Sequence, residues 1–475
     1  MKGIIKEFDY VILGQGSAAF AAAIKANELG IKTAMIGHNA TAGAVLGGTC
    51  INVGCVPSKR LITVSTFLDE LKKRRYGGLN YNIGKLDYAK VIEENNRLVE
   101  DLRAEKYKNV LKELKNVTFI NRIGSFVDAN TIKAGDVIIK SKHILIATGA
   151  RAAIPQIKGI EKIKYLTNEE ALSMKKLPKS IIVVGGRALG LEFAQLFAGF
   201  GVKVTLLQRS ETIIPNWEPE ISTYLTKYLE EIGIEIVTNA TLVEISSRNG
   251  LKSITANIQG NKTIFNAEEI LFATGRIANV EKLNLGAAGV QLNEKGFIKI
   301  DKLLKTTAND IYAAGDVTGE PMLETLAAKE GNTATSNIFE NANKAINLNE
   351  IPSAIFTYPE AAMVGMTEEE VMKNKIRCNC SPLEFKFVAK SAIIGDKRGI
   401  VKIVIDNKTK KILGVHILAP HAADLIHEGT LAVKFGLTID DIIDTVHVFP
   451  TLSEGLKLAA MSFYEDISKL SCCSV

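Results

Sequence analysis

The 475-residue sequence predicts an α/β protein in which two strand–turn–helix–strand units precede a C-terminal region of mixed α and β structure. In the first unit, the strand-like run Phe8–Leu13 leads into the glycine-rich turn Gly14–Ala19, and a helical pattern follows. In the second unit, the apolar run Ser180–Val184 leads into a similar turn. From Ile351 onward, strand-like segments over residues 357–360, 399–405 and 412–418 alternate with helix-like segments over residues 422–435 and 439–444. We therefore expect two Rossmann-like nucleotide-binding domains and an α+β C-terminal domain.

The first turn has the spacing of a dinucleotide-binding motif. Gly14, Gly16 and Ala19 occupy its three defining positions, and the turn opens a helix that runs to about Leu29. The glycines permit a tight turn and the close approach of a pyrophosphate, which the N-terminus of the helix attracts. We expect this turn to bind the pyrophosphate of a dinucleotide.

An acidic ribose anchor is missing from the first unit. Such a residue normally ends the second strand, where it binds the ribose hydroxyls. Here the strand over Ile31–Ile36 is followed by Gly37, His38 and Asn39. The ribose contact is therefore expected from His38 or Asn39.

The second unit carries a variant of the same motif. Its turn runs from Gly185 to Gly190 and has Arg187 in place of one glycine, and the next strand ends in Gln208 and Arg209 without an acid. An acid at that place would bind the 2′-hydroxyl of NAD, whereas a guanidinium suits the 2′-phosphate of NADP. The sequence predicts NADPH, and the alternative for Arg209 is a plain surface cation.

A pair of cysteines, Cys50 and Cys55, lies between the two units. Residues five apart in a regular helix are roughly 8–9 Å apart, which is too far for a disulfide, so the segment must bend, and Gly54 provides the freedom. Pro57 suits the first turn of a helix that runs to about residue 73. A helix N-terminus and the nearby Lys59 both favour thiolate, so the pair is predicted to be reactive. The alternative is an inert buried pair.

A second cysteine pair, Cys472 and Cys473, lies at the end of the chain. Adjacent Cα atoms are about 3.8 Å apart, which is shorter than the roughly 4.4–6.8 Å of a relaxed disulfide. This pair suits chelation of a soft metal ion, and the alternative is two spare cysteines on a frayed terminus. For Cys378 and Cys380, in a predicted strand or loop, plain packing is favoured over a weak two-ligand site.

Composition excludes several classes of protein. The net charge of +6 is spread over 58 basic and 52 acidic residues without a long basic block, so no nucleic-acid partner is expected. No segment approaches the roughly 18 apolar residues of a membrane span, and no secretory signal is apparent. Six cysteines are too few for a disulfide scaffold, so a reducing, cytoplasmic location is expected.

The segment 47–59, GGTCINVGCVPSK, resembles the redox-active signature of the FAD-dependent pyridine-nucleotide disulfide oxidoreductases. The resemblance implies that FAD binds the first unit, with Gly48 and Thr49 beside it, and that NADPH binds the second. It also implies that Cys50 is the substrate-facing thiol and that Cys55 lies against the flavin. Lys59 would lie near the flavin and pair with Glu192.

Further segments match the same family in the same order. Thr148 and Gly149, and later Gly275 and Arg276, resemble the two places where the family's chain leaves and re-enters the flavin domain. Asp316 lies in a segment that resembles the second flavin fingerprint, where it would point toward the ribityl chain.

The resemblance implies three domains. Residues 1–150 and 276–345 would form a discontinuous FAD-binding domain, and residues 151–275 the NADPH-binding domain. Residues 346–475 would form the interface domain of an obligate homodimer and end in the Cys-Cys tail.

The chain departs from the family at one catalytic position. Disulfide reductases of the family carry a His-Pro-Thr-x-x-Glu motif whose histidine protonates a leaving thiolate. Here Phe449 replaces the histidine while Glu454 is kept. His447 is nearby, and we expect it to be an interface residue rather than a displaced acid.

Reducing a metal ion needs no acid at that position, and the C-terminus of this chain resembles that of the family members that reduce Hg(II). The expected reaction is therefore reduction of thiol-complexed Hg(II) by NADPH, with Cys472 and Cys473 passing the ion to Cys50 and Cys55. One alternative is a dihydrolipoamide dehydrogenase-type or other flavin disulfide reductase. The alternative of another class is a non-catalytic thiol protein that binds metal.

Overall fold

A computed structural model describes residues 4–38, 45–73, 76–248 and 250–471. In this part of the chain the predicted fold class is confirmed, because two α/β units with mainly parallel central strands are followed by an antiparallel sheet with helices. None of the described helices combines the length and the apolar character that crossing a membrane would require.

The first unit is built on a seven-stranded sheet in the order β3-β2-β1-β6-β5-β4, with β16 beside β6. The strands β1, β2, β3, β6 and β16 run parallel, so their carboxyl ends meet at one edge of the sheet. The strands are β1 Ile4–Leu13, β2 Thr33–Gly37, β3 Val117–Asn121, β4 Gly124–Asp128, β5 Thr131–Ala134, β6 Val137–Ile146 and β16 Ile311–Ala313.

Helices cover this sheet and bring the cysteine pair to its edge. They are α1 Ser17–Glu28, α2 Gly48–Val53, α3 Cys55–Lys73, α4 Tyr88–Arg103, α5 Asn109–Glu113 and α9 Glu324–Phe339, with a π-helical turn over Ala104–Lys108 between α4 and α5. The helices α1 and α9 are in backbone contact, since a Cβ added to Gly331 would lie 2.0 Å from the Ala18 carbonyl oxygen.

The second unit contains a four-stranded parallel sheet in the order β10-β9-β8-β14 and a three-stranded antiparallel sheet. The strands are β8 Ser180–Val184, β9 Lys203–Leu207, β10 Glu235–Val237, β11 Ala240–Arg248, β12 Leu251–Ile258, β13 Asn261–Ala267 and β14 Glu269–Phe272. The helices are α6 Asn168–Ser173, α7 Ala188–Gly199 and α8 Pro219–Glu231. Two short antiparallel strands, β7 Ala150–Ala152 and β15 Arg276–Ala278, pair where the chain passes between the two units.

The C-terminal domain is a five-stranded antiparallel sheet in the order β17-β18-β21-β20-β19. The strands are β17 Ser353–Ile355, β18 Glu360–Gly365, β19 Cys378–Glu384, β20 Ile400–Asp406 and β21 Ile412–Ala419. The helices are α10 Glu368–Lys373, α11 Ala389–Ile393, α12 Ala422–Phe435, α13 Ile439–Asp444 and α14 Glu454–Met461.

One strand prediction in this domain was wrong. The sequence pattern indicated a strand over residues 357–360, but β18 begins only at Glu360. Both backbone polar groups of Tyr358 bind the side-chain amide of Gln195 on α7, with its N–H at 2.7 Å and its carbonyl oxygen at 3.1 Å. A side chain from another domain therefore takes the hydrogen bonds that a sheet partner would have made.

Candidate functional site

One cavity of about 1690 Å³ collects most of the site residues predicted from the sequence. Its volume exceeds the roughly 300–1,000 Å³ of a pocket for one small ligand, so the cavity has room for more than one. The predicted residues in its lining are Gly14, Gly16, Gly48, Thr49, Cys50, Cys55, Lys59, Thr148, Gly149, Glu192, Gly275, Arg276 and Asp316. The lining does not include Ala19, Gly185, Gly190, Arg209 and Glu454.

The first glycine-rich turn brings backbone segments into direct contact at the start of α1. Gly14 has a φ of 145°, and an added Cβ would lie 2.1 Å from the Ala147 carbonyl oxygen. An added Cβ on Gly48 would lie 2.7 Å from the Cα atom of Gly16. The turn is thus a narrow cradle at a helix N-terminus, which is the arrangement that binds a pyrophosphate. Ala19, by contrast, is buried in the core.

The two central thiols lie at the junction of two helices. Cys50 is in α2, and Gly54 ends that helix before Cys55 opens α3. Both thiols are free, and the hydrogen bond between them raises the pKa of Cys50 together with burial. The same hydrogen bond and the charge of Lys59 lower the pKa of Cys55, although burial opposes this shift. Cys55 is therefore the preferred thiolate, and Cys50 is the thiol that donates to it.

Lys59, one turn after Cys55 on α3, forms the ion pair that the resemblance implied. Its Nζ lies 2.6 Å from Glu192 Oε2 on α7, and the Glu192 side chain is only 4% exposed. The other oxygen, Oε1, accepts a hydrogen bond of 3.0 Å from the backbone N–H of Phe356. The Lys59 ammonium also lies 4.7 Å from the centroid of the Phe356 ring. These contacts fix a positive charge beside the thiols.

Further polar groups in the cavity lining fit a flavin dinucleotide. Arg276 Nε lies 3.7 Å from Asp316 Oδ2, and Arg276 Nη2 lies 3.4 Å from Thr49 Oγ1. Burial raises the pKa of Asp316, and the charge of Arg276 opposes that shift. The Thr148 hydroxyl is buried in the wall and has no hydrogen-bond partner within the described residues. The ribose, ribityl and phosphate oxygens of FAD would supply partners for these groups, so the residues present fit the cofactor.

The second glycine-rich turn is equally tight. An added Cβ on Gly185 would lie 2.3 Å from the Ala273 carbonyl oxygen, and one on Gly190 would lie 1.8 Å from the Gly185 carbonyl oxygen. Gln208 Oε1 accepts hydrogen bonds from the backbone N–H groups of Gly186, at 3.0 Å, and Arg209, at 3.2 Å. Gln208 thus braces the turn, while the Arg209 side chain is exposed beyond it. An exposed cation at this strand end is available to a nucleotide phosphate.

The C-terminal motif residues lie apart from the cavity within the same chain. Glu454 opens α14 and accepts a hydrogen bond of 3.3 Å from the Thr451 N–H. Phe449 is 54% exposed. His447 is largely buried, and its Nε2 lies 2.7 Å from Glu428 Oε1. None of the three lines the cavity.

Three residues that sequence analysis missed act on the site through tertiary contacts. Glu324, at the start of α9, lines the cavity, and its charge helps to raise the pKa of Cys50 and opposes the lowering of the pKa of Cys55. Glu330 accepts a 2.6 Å hydrogen bond from the Gly315 N–H, and burial raises its pKa to about 7. The Tyr107 ring lies against Gly47 of the cavity lining, where an added Cβ would be 3.1 Å from Tyr107 Cδ2. No local motif marks any of them, because each reaches the site by packing of distant elements.

Three of the predicted site residues lie outside the described residues. They are the tail pair Cys472 and Cys473 and the alternative ribose anchor Asn39. The other predicted anchor, His38, follows β2 and lines the cavity.

Comparison with known families places the chain in a class. A family model described as pyridine nucleotide-disulphide oxidoreductase matches residues 8–331, and a model described as the dimerisation domain of that family matches residues 351–460. The chain belongs to the pyridine nucleotide-disulphide oxidoreductase family. It is therefore an enzyme of an oxidoreductase class that uses FAD and a pyridine nucleotide.

Within this family the chain is similar over nearly its whole length to mercuric reductases. It is 41% identical to the mercuric reductase of Bacillus cereus, over 98% of this chain and 73% of that protein. It is 40% identical to that of Lysinibacillus sphaericus, over 98% of this chain and 84% of that protein. A solved structure, the Cu(II) complex of the HOCl-induced flavoprotein disulfide reductase RclA from Escherichia coli, superposes with a TM-score of 0.86. It is 26% identical, and the match covers 97% of this chain and 100% of that one.

The contact between Lys59 and the thiol pair predicts a pH effect. Because the ammonium stabilises the Cys55 thiolate, Lys59→Met should raise the pKa of Cys55 and leave less thiolate at neutral pH. The measurement is the rate of Cys55 alkylation in the reduced enzyme as a function of pH, followed by mass spectrometry. In Lys59→Met, alkylation of Cys55 should begin at a higher pH than in the wild-type enzyme. Lys73→Met, which removes a surface cation from the same helix, should leave the profile unchanged. An unshifted profile in Lys59→Met would contradict the assignment.

Proposed function

We propose that the protein is an NADPH-dependent, FAD-containing mercury(II) reductase that catalyses Hg²⁺ + NADPH → Hg⁰ + NADP⁺ + H⁺. One observation carries the proposal. A polarised dithiol, Cys50 and Cys55, lines the large cavity, while the position of the family's disulfide-reductase acid is occupied by Phe449. The similarity to mercuric reductases over nearly the whole chain supports the same substrate.

The cofactor would be held by the first glycine-rich turn and by polar side chains elsewhere in the cavity lining. Gly14, Gly16 and Gly48 leave room for the pyrophosphate, and Thr148 and Asp316 offer hydrogen bonds. When bound, FAD supplies a two-electron carrier between the nicotinamide and the thiol side of the site.

The dithiol would bind the substrate as a low-coordinate bis-thiolate. Cys55 offers a thiolate directly, and Cys50 loses its proton as it becomes the second ligand. Soft thiolates suit a soft ion, and low coordination permits quick ligand exchange. Lys59 stabilises the thiolate form before the ion arrives, and Glu192 positions Lys59. The negative charge of Glu324 disfavours uncompensated thiolates and so favours binding of a cation.

The absence of an acid at position 449 follows from this chemistry. Reduction of a disulfide produces thiolates that must be protonated, whereas reduction of Hg²⁺ to Hg⁰ consumes two electrons and no proton. A phenyl ring carries no proton, so Phe449 is compatible with a metal substrate and poorly suited to a disulfide. Glu454, which binds the backbone of its own helix start, would then support the loop instead of orienting a histidine.

The homodimer would complete the site. The C-terminal part matches a dimerisation domain, and we propose that the tail of one subunit serves the dithiol of the other. In this scheme Cys472 and Cys473 strip Hg²⁺ from the small thiols that deliver it and pass it to Cys50 and Cys55.

The proposal predicts Hg²⁺-dependent oxidation of NADPH by the FAD-loaded enzyme in excess thiol, with release of volatile mercury. Cys55→Ser should abolish this turnover because it removes the preferred thiolate. Two outcomes would overturn the proposal. One is an absence of Hg²⁺-dependent oxidation. The other is efficient NADH oxidation with lipoamide, which would assign the chain to the disulfide reductases.

Nucleotide choice is predicted to depend on Arg209. NADPH should have a higher kcat/KM than NADH, and Arg209→Glu should reduce that preference. A charge-assisted phosphate contact contributes roughly 1.5–3 kcal/mol, so the loss should be on the order of tenfold or more. Arg248→Glu makes the same charge change at an exposed position of β11 and should keep the preference. A wild-type enzyme that prefers NADH would refute the assignment.

The tail pair Cys472 and Cys473 is predicted to affect turnover of thiol-bound Hg²⁺ and not the reduction of FAD by NADPH. Replacing both Cys472 and Cys473 by Ala should leave FAD content and anaerobic reduction by NADPH intact, while turnover with thiol-complexed Hg²⁺ falls sharply. Turnover of bromide complexes of Hg²⁺ should be less affected because they can reach Cys50 and Cys55 directly. Ser474→Ala, which keeps both tail thiols, is the matched control.

Subunit exchange gives the decisive version of this experiment. Mixing the tail variant with Cys50→Ala should restore turnover, since one site of the heterodimer then has both an intact dithiol and an intact partner tail. Unchanged turnover of thiol-bound Hg²⁺ in the tail variant alone would end the relay scheme.

A further inference from the structure

A second group of metal-ligating side chains lies in the C-terminal domain, outside the cavity. The donor atoms of Glu368, Cys378 and Cys380 all lie within 4.8 Å of one another. None of the three lines the cavity that contains Cys50 and Cys55. The proposed reduction of Hg²⁺ does not use them.

The local fold explains why these residues converge. Cys378 and Cys380 are alternate residues of β19, so their side chains share one face of this edge strand. Glu368 is the first residue of α10, which begins at a capping box formed by Thr367 and Glu370. The helix start is packed beside the strand, and this contact brings the carboxylate to the two thiols.

The carboxylate of this group is fixed before any ligand arrives. Glu368 Oε2 lies 2.9 Å from Lys402 Nζ, and the Glu368 N–H donates to Glu218 Oε1 at 2.6 Å. The Lys402 side chain is only 2% exposed, so this anchor is rigid. The hydrogen bond from Lys402 lowers the pKa of Glu368 and keeps it anionic. A carboxylate has two oxygens, so it can retain Lys402 and still coordinate an ion.

The charges around the thiols favour a cation. Burial raises the pKa of Cys380, the charges of Glu368 and Cys378 add to this effect, and the charge of Lys402 opposes it. Neighbours that disfavour a bare thiolate favour a thiolate bound to a positive ion. All three residues are partly exposed, so an ion from solution can reach them.

We propose that Glu368, Cys378 and Cys380 form a second metal site that takes one thiophilic divalent ion, such as Hg²⁺ or Cd²⁺. Two zinc–sulfur bonds of about 2.3 Å span about 4.6 Å, which is close to the 4.8 Å within which the donor atoms of this group lie. Binding replaces the two thiol protons, which pass to solvent, and oxidises nothing. Three protein ligands leave a position open for an external thiol, whereas closed structural sites have four. The site is therefore suited to holding an exchangeable soft ion.

Counting bound metal tests the site without reference to turnover. In a variant with Cys50, Cys55, Cys472 and Cys473 all replaced by Ser, only Cys378 and Cys380 remain. The FAD-loaded variant should bind one equivalent of Cd²⁺ per chain, seen as thiolate-to-metal absorption, and Hg²⁺ should displace it. Loss of a residue that only supports a metal ligand weakens metal binding by roughly 10–100-fold. Adding Cys378→Ser or Cys380→Ser removes a ligand itself and should weaken Cd²⁺ binding by at least as much.

Two controls accompany this measurement. Asn379→Ala changes the intervening exposed residue of β19 and keeps both thiols, so it should bind Cd²⁺ as before. If the four-serine variant does not fold, the wild-type holoenzyme is compared with Cys378→Ser/Cys380→Ser, which should bind one equivalent fewer. Equal stoichiometry in that pair, or no Cd²⁺ binding by the folded four-serine variant, would overturn the proposal.

Discussion

The architecture of the site depends on one buried carboxylate. Glu192 lies on α7 of the second unit. One of its oxygens binds Lys59, on the helix that carries Cys55, and the other binds the backbone of Phe356 in the C-terminal domain. An anion this deeply buried is tolerated only when both oxygens are satisfied. Satisfying them fixes the three parts of the chain in one arrangement.

The same contact sets the chemistry of the thiols. Lys59 is held at the dithiol by Glu192 and by the Phe356 ring, and its charge helps to make Cys55 the thiolate of the pair. Cys50 keeps the proton because it donates to Cys55. Two chemically identical residues thus acquire different pKa values from their neighbours, which suits the ordered uptake of a metal ion by two ligands that we propose.

A second buried ion network joins the same domains away from the site. Lys402 of the C-terminal sheet contacts Glu218 and Glu220 at the start of α8, and also Glu368. Removing the lysine would leave Glu218, at 1% exposure, without its ammonium partner, so the network constrains how the second unit sits on the C-terminal domain. The proposed Glu368–Cys378–Cys380 site inherits its rigidity from this network.

The sequence by itself determined the parts of the site that local geometry requires. Glycine spacing at the two turns and the bend at Gly54 are local constraints of backbone sterics, so they could be predicted. The predicted first and last residues of the helices α12 and α13 also agree with the structure. Only the tertiary structure decided the rest. It showed that Gln208 braces the second turn and that Gln195 takes the hydrogen bonds of a segment with a strand-like pattern. It also brought Glu324 to the thiols and Glu368 to Cys378 and Cys380. These contacts join residues far apart in sequence, and their energies depend on burial and on distances that no local pattern encodes.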